Sequence, residues 1–82
     1  MYTIYVLIGT ELGHEENIRK ELLRVDSVKK ADTVTGAFDN VAELEGESID
    51  ELTRVVYEKI RKIPHVIKTE TLISRSTTEV TQ

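Results

Sequence analysis

Hydrophobic and polar residues follow two different periods along this chain, and the changes of period predict four strands and two helices. From Tyr2 to Gly9 nearly every residue is β-branched, aromatic or apolar, which indicates a strand with both faces covered. Gly13 breaks this pattern. Ile18, Leu22 and Val25 then recur at helical spacing, which predicts a helix that runs to about Val25 and buries one stripe.

The second half of the chain shows the same change from strand to helix to strand. Ser48 followed by Glu51 is typical of a capping box at a helix start, and Pro64 predicts the end of that helix. The elements predicted after the first helix are strands over Val28–Thr35 and Asn40–Glu45, a helix from Ser48 to Pro64, and a strand over His65–Ile73.

The two halves are related by an offset of 38 residues, at which Ile18 aligns with Val56 and Leu22 with Ile60. The order β-α-β-β-α-β, with this repeated helix-to-strand geometry, predicts a ferredoxin-like α+β sandwich: an antiparallel four-stranded sheet with both helices on one face. Residues 1–74 are predicted to form this single domain. Residues 75–82 are predicted to be a polar C-terminal tail.

Two amphipathic helices cover only one face of such a sheet, so alternate residues of the first strand, such as Tyr5 and Leu7, face outward. An apolar patch of that kind on a small protein indicates an interface. We therefore predict a homodimer that forms through the sheets. The alternative is an exposed, slightly apolar sheet surface without a partner.

Composition narrows the classes of function. A chain of 82 residues without cysteine has neither disulfides nor thiolate metal ligands to stabilise it, so oligomerisation is the expected source of stability. A formal net charge of -4 without a Lys/Arg cluster argues against direct nucleic-acid binding. The absence of a long apolar run or a basic leader predicts no membrane span and a cytoplasmic location.

The stretch from Val34 to Asn40 contains residue types that can bind a ligand and that a simple turn does not require. Gly36 allows a ligand to approach backbone amides, Phe38 can shelter a side chain, and Asp39 can pair with an ammonium group. This loop therefore predicts a site for a small zwitterion such as an amino acid. The alternative is a hairpin turn with no further role. The predicted ligand-binding residues are Gly36, Ala37, Phe38, Asp39, Thr69 and Thr71.

The remaining polar residues predict no catalytic residue, metal site or cofactor. His14 and His65 have no cysteine or closely spaced histidine nearby in the sequence. We predict that His65 interacts with the end of the second helix. Glu43, Glu45 and Glu47 are interpreted as a solvated strand edge, with acid/base catalysis as the alternative.

Five stretches in order resemble the effector-binding RAM domain of the Lrp/AsnC, or feast/famine, transcription regulators. The most specific is the loop of threonine, glycine, any residue, aromatic residue and aspartate, followed by the segment around Ile63-Pro64 with two threonines two residues apart. The resembling stretches are Tyr2–Ile8, Val25–Val28, Val34–Asp39, Ile60–Val66 and Thr69–Ile73.

The resemblance implies a ferredoxin-like domain that dimerises through its sheets and assembles further, commonly into tetramers of dimers. It implies that amino acids bind between dimers near Gly36 to Asp39, with Thr69 and Thr71 as neighbours. Members of the family carry an N-terminal helix-turn-helix domain, and only Met1 precedes Tyr2 here. The expectation is therefore a stand-alone, non-enzymatic module that responds to amino acids and modulates transcription indirectly, with full-length Lrp/AsnC regulators as candidate partners.

The sequence leaves two alternative functions open. One is a small dimeric α+β-barrel enzyme of the cofactorless monooxygenase type, which would need a closed apolar cavity holding a polar group. The other is a purely structural interaction domain.

Overall fold

The computed structural model describes residues 1–76 and contains all six predicted elements in the predicted order. Residues 77–82, most of the predicted tail, lie outside the described residues. The elements are β1 (Tyr2–Thr10), α1 (Glu15–Leu22), β2 (Val28–Thr33), β3 (Asn40–Gly46), α2 (Ile49–Val55), which continues as a π-helical segment (Val56–Ile60), and β4 (Val66–Ile73).

The four strands form one antiparallel sheet in the order β2-β3-β1-β4. β1 lies between β3 and β4, so Ile4 pairs with Leu44 on one side and with Ile73 on the other. This arrangement confirms the predicted ferredoxin-like fold. It also shows that the interpretation of Glu43 and Glu45 as a strand edge was wrong, because β3 is an inner strand and Glu43 pairs with Tyr5 on one side and Lys30 on the other.

Both helices pack on the same face of the sheet and cover a single apolar core. Alternate residues of β1 and β3 point into this core because side chains along a strand alternate between faces. Ile18, Leu22 and Ile60 pack onto them from the helices, as the helical spacing predicted. The buried apolar residues are Ile4, Val6, Ile8, Ile18, Leu22, Val28, Ala31, Ala42, Leu44, Leu52, Val56 and Ile60.

The 38-residue repeat extends to the hydrogen bonds that end the two helices. The N–H of Val25 donates to the carbonyl of Leu22, and the N–H of Ile63 donates to that of Ile60, at the matching positions. Because of these tight turns, the helical segments end at Leu22 and Ile60. Each end lies three residues before the last apolar residue of the predicted stripe. Val25 and Ile63 still pack against the core from the turns, so the predicted stripes are confirmed although both helices end early.

The two helices differ at their last turns. The N–H of Arg61 donates to the carbonyl of Val56 at 2.8 Å, five residues back, whereas at the equivalent place the N–H of Leu23 donates to Arg19, four residues back. A π-helical turn of this kind widens the helix locally and occurs frequently at functional sites. At the other end, the Ser48 hydroxyl accepts a hydrogen bond from the N–H of Glu51, which confirms the predicted N-cap.

Among residues 1–76, no helix is long and apolar enough to cross a membrane.

Candidate functional site

The loop between β2 and β3 is closed by its own backbone and shaped by one glycine. The N–H of Val34 donates to the carbonyl of Asp39 at 2.9 Å. Gly36 has a φ of +147°, a conformation that side chains rarely adopt, and open space surrounds the position where a Cβ would lie. The glycine is therefore required by the backbone conformation of the loop rather than by crowding.

Asp39 fastens this loop to the end of β1. Its N–H donates to the carbonyl of Ile8 at 2.9 Å, and its carboxylate oxygen Oδ2 accepts a hydrogen bond from the N–H of Thr10 at 2.8 Å. Thr10 occupies one of the acceptor positions of the carboxylate, which can accept several hydrogen bonds. The half-buried Asp39 is thereby held in one orientation at the rim of the sheet.

The next residue along, Asn40, is fully buried and ties the loop to the other side of the structure. Its Nδ2 donates to the carbonyl of Glu15, in the first turn of α1, at 3.2 Å. The loop that precedes β3 is thus connected to both β1 and α1, and its position is set by the fold as a whole.

Lys68 places a positive charge beside the loop. Its Nζ lies 5.0 Å from the centroid of the Phe38 ring, a cation–π contact. The Lys68 side chain crosses Gly9, its partner in the β1–β4 pairing, so closely that a Cβ at Gly9 would lie 2.8 Å from the Lys68 Cγ. Sequence reasoning missed Lys68, because only the pairing of β1 with β4 brings it to Phe38.

Thr69 and Thr71 lie on the opposite face of the sheet from Lys68. They pair with Ile8 and Val6, whose side chains point into the helix-covered core. One subunit therefore brings Gly36, Ala37, Phe38 and Asp39 together but leaves the two threonines on the other side of the sheet.

The two threonines line a groove of about 530 Å³ between β4 and the π-helical segment. Arg61 lies over the ring of Tyr57, 4.9 Å from its centroid, in the wall of this groove. Hydroxyl groups beside a guanidinium suit the binding of a carboxylate or another small anion. Lys68 also borders the groove, so this residue lies between the groove and the loop.

The two histidines meet in the fold, on a part of the surface formed by the turns beside α1 and β4. Their rings stack with centroids 3.5 Å apart and planes inclined by 14°. The Nδ1 of His65 lies 2.6 Å from Oε1 of Glu11. Both this hydrogen bond and, next, the charge of the His65 ring lower the pKa of Glu11 below its ordinary value. His65 thus contacts Glu11 and His14, and its interaction with the end of the second helix stays a prediction.

The face of the sheet away from the helices carries apolar side chains that nothing covers within the described subunit. Tyr5 on β1 is 37% exposed, and its pairing partner on β4, Leu72, is 45% exposed. Leu7 and Val41, which pair on β1 and β3, are half-buried. We call these four residues, Tyr5, Leu7, Val41 and Leu72, the open-face patch.

Comparison with known proteins agrees with the fold. A model of the Lrp/AsnC ligand binding domain matches residues 3–81. A search of curated protein sequences found no match.

Two solved structures are similar to this chain over most of both lengths. The structure of FFRP-DM1 is 34% identical, with a TM-score of 0.84, and the match covers 90% of this chain and 99% of that one. The hypothetical protein PHS023 from Pyrococcus horikoshii is 32% identical, with a TM-score of 0.85, and the match covers 95% and 94%.

A third structure extends the similarity of fold to a larger protein. It is a feast or famine regulatory protein from M. tuberculosis in complex with L-methionine, 18% identical with a TM-score of 0.80, and the match covers 98% of this chain and 54% of that one. The family model and two relatives above 30% identity lead to one conclusion: this chain belongs to the family of Lrp/AsnC ligand-binding domains.

Proposed function

We propose that this protein is a non-enzymatic module that binds an α-amino acid where subunits meet and changes its assembly in response. The observation that carries the proposal is the loop Gly36–Asp39, held against β1 by Asp39 with the ammonium group of Lys68 beside it. An anionic and a cationic group on one rim complement the ammonium and carboxylate of a zwitterion. Family membership supports the same proposal, and one member of the family binds L-methionine.

The placement of Thr69 and Thr71 supports a site shared between subunits. Within one subunit their side chains lie across the sheet from Phe38, and Lys68 is the residue that borders both the loop and the groove. A pocket that contains both sets of residues therefore needs the loop of one subunit to face the groove of another. Bound ligand then favours the assembly that completes the pocket, since a ligand shifts an equilibrium only by binding one state more tightly.

The open-face patch supports dimerisation through the sheets. Apolar side chains on two inner strands and one edge strand form a surface that a second copy covers with the same residues about a two-fold axis. A full-length regulator of the same family offers the same kind of sheet, so it is the candidate partner for indirect modulation of transcription.

The packing of the subunit weighs against the enzyme alternative. A cofactorless barrel enzyme needs an enclosed cavity between sheet and helices, and that space is filled by apolar side chains such as Ile8, Leu22 and Leu52. The groove beside β4 is open to solvent at Thr71 and Tyr57.

Thermal unfolding in the presence of single amino acids at millimolar concentration tests the proposal, with native mass spectrometry to count subunits and bound mass. A ligand at a hundredfold excess over its Kd raises the free energy of unfolding by about 2.7 kcal/mol. Asp39→Asn is expected to remove the response, whereas the matched control Asp26→Asn, at an exposed position, is expected to retain it. The absence of any response from the wild type would contradict the proposal.

Mixed assemblies test whether the site is shared. Asp39→Asn and the double variant Thr69→Val/Thr71→Val should each lose ligand binding as homo-oligomers. When the two variants are unfolded together and refolded, some pockets combine an intact loop with an intact groove, so binding should be restored in part. No restoration, with mixed oligomers visible by mass, would place the site within one subunit.

A further inference from the structure

Glu11, His14 and His65 bring three metal-ligand groups together from two distant parts of the chain. Glu11 and His65 are 54 positions apart. One carboxylate oxygen and one nitrogen from each ring all lie within 4.8 Å of one another. The chain has two histidines and no cysteine, so the fold places both of its imidazoles in this one cluster.

The backbone, and not only the side chains, holds the three residues in place. The N–H of Glu11 donates to the carbonyl of His65 at 2.9 Å, and the N–H of His14 donates to the carbonyl of Glu11 at 3.1 Å. His14 occupies the N-cap position of α1, yet within residues 1–76 its ring makes no capping hydrogen bond. His65 has a φ of +75°, the left-handed conformation. Both rings are therefore positioned by the chain and available to a ligand.

We propose that Glu11, His14 and His65 bind a divalent transition-metal ion of the zinc class. Two imidazoles and a carboxylate are a ligand set that suits Zn²⁺ and leaves a coordination position open. Ligand atoms of a tetrahedral zinc site lie about 3.3 Å apart. His65 Nδ1 and Glu11 Oε1, now 2.6 Å apart, must therefore open slightly, and longer separations within the cluster, which reach at most 4.8 Å, must shorten. The ion takes the place between His65 Nδ1 and Glu11, and the proton of that ring resides on Nε2.

The stacking of the two imidazole rings limits how both can bind one ion. A coordinating lone pair lies in the plane of its ring, and the two planes are inclined by only 14°. One ring must therefore turn about its Cβ–Cγ bond before both nitrogens point at the same ion. His14 is half-buried and His65 exposed, so the turn disturbs no packed core.

An ion at this place would clamp the turn before α1 to the turn before β4. The histidines also line a groove of about 480 Å³ together with Asn17, Ile63 and Pro64. The cluster shares no residue with the loop Gly36–Asp39 or with the open-face patch, although Glu11 directly follows Thr10, whose N–H binds Asp39.

Titration calorimetry with ZnCl₂ on protein without an affinity tag is the direct test, with MgCl₂ as the hard-ion control. We expect one zinc per chain and shifts of both imidazole signals in NMR spectra. Two asparagine variants should remove a ligand and keep the fold. His14→Asn places asparagine at the N-cap of α1, a position that it favours. His65→Asn keeps a residue that tolerates the left-handed backbone conformation. Each should abolish binding. Glu11→Gln removes a direct ligand and should weaken zinc binding by more than the roughly 10–100-fold that loss of an outer-shell partner causes.

Glu21→Gln is the matched control, because Glu21 borders the same groove but is not part of the cluster. It should keep wild-type zinc affinity. Zinc should raise the unfolding midpoint of the wild type and of Glu21→Gln but not of the two histidine variants. Absence of zinc binding by the wild type, or wild-type affinity in either histidine variant with its circular dichroism unchanged, would overturn the proposal.

Discussion

The two faces of the sheet are formed by alternate residues of the same strands, yet they differ in what covers them. Val6 and Leu7 are neighbours on β1. Val6 is fully buried under the helices, whereas Leu7 is half-buried on the face that the helices leave uncovered. The face that a side chain occupies thus decides whether the helices bury it.

The polar side chains on the covered face, such as Asn40, Thr69 and Thr71, are uncharged, whereas charged residues surround the apolar centre of the open face. On the open face Glu43 pairs with Lys30 across β2 and β3, and Glu70 pairs with Leu7 across β4 and β1. An apolar centre with a polar rim is the usual composition of a protein interface. The comparison therefore predicts that equal substitutions on the two faces have different consequences.

The largest difference is expected between Val6→Asp and Leu7→Asp. A carboxylate at position 6 would be buried among apolar side chains without a partner, which costs more than about 4 kcal/mol and exceeds what a marginal domain tolerates. We expect Val6→Asp to be unfolded by circular dichroism. A cooperative unfolding transition for this variant would contradict the assignment of the faces.

Leu7→Asp should instead leave the subunit folded and separate it from its partner. The new charge would be desolvated only when two sheets meet, so the cost falls on the dimer. Light scattering after size exclusion should report the mass of a monomer, with helical circular dichroism retained. A wild-type mass for Leu7→Asp would mean that the sheets are not the dimer contact.

Two glycines provide a smaller and more local comparison. A Cβ at Gly46, on the covered face, would lie 2.8 Å from Cδ2 of the fully buried Leu52, so Gly46→Ala should lower the free energy of unfolding by about 1–3 kcal/mol. At Gly9, on the open face, the Cβ would meet the side chain of Lys68, which is exposed and can move.

Gly9→Ala should therefore lower the free energy of unfolding by less than about 1 kcal/mol. It should also move the Lys68 side chain away from Phe38. Urea denaturation measures the first effect, and amino-acid affinity measures the second. Equal losses of stability for the two alanine variants would show that the faces are packed alike.

The smallest effect is expected from acid, at carboxylates that belong to neither face. His65 lowers the pKa of Glu11, and a hydrogen bond from Arg19 lowers the pKa of Glu16. A pKa lowered in the folded state means that the contribution to stability is present above the ordinary value of 4.5 and is lost as the pH falls through the lowered value.

Both carboxylates are exposed, so solvent screens the effect and it should be small. Urea midpoints measured between about pH 5 and pH 3 should fall, and the double variant Glu11→Gln/Glu16→Gln should show a shallower fall. A fall of equal slope in that variant would assign the acid sensitivity to other carboxylates.

Much of the fold could be predicted because local patterns carry it. The stripe of Ile18 and Leu22, the N-cap at Ser48 and the 38-residue repeat all depend on residues close in the chain, where spacing alone sets geometry. The early ends of both helices could not be predicted, since Val25 and Ile63 reach the core from turns as well as they would from a helix.

The parts of the site that depend on strand pairing were not predictable in the same way. Spacing placed Thr69 and Thr71 on one face of β4 but did not say which face. Lys68 reaches Phe38, and Asp39 reaches Thr10, only because β1 lies beside both β3 and β4.

The sequence by itself determined the order of elements, the residues that must be buried, and a glycine loop rich enough in chemistry to be a candidate site. These follow from periodicity and backbone preference, which act over a few residues. Only the tertiary structure decided which face of the sheet each strand residue occupies and which distant residues meet. His14 and His65 came together, and Lys68 reached Phe38, because strand register and crossover connections are properties of the whole chain.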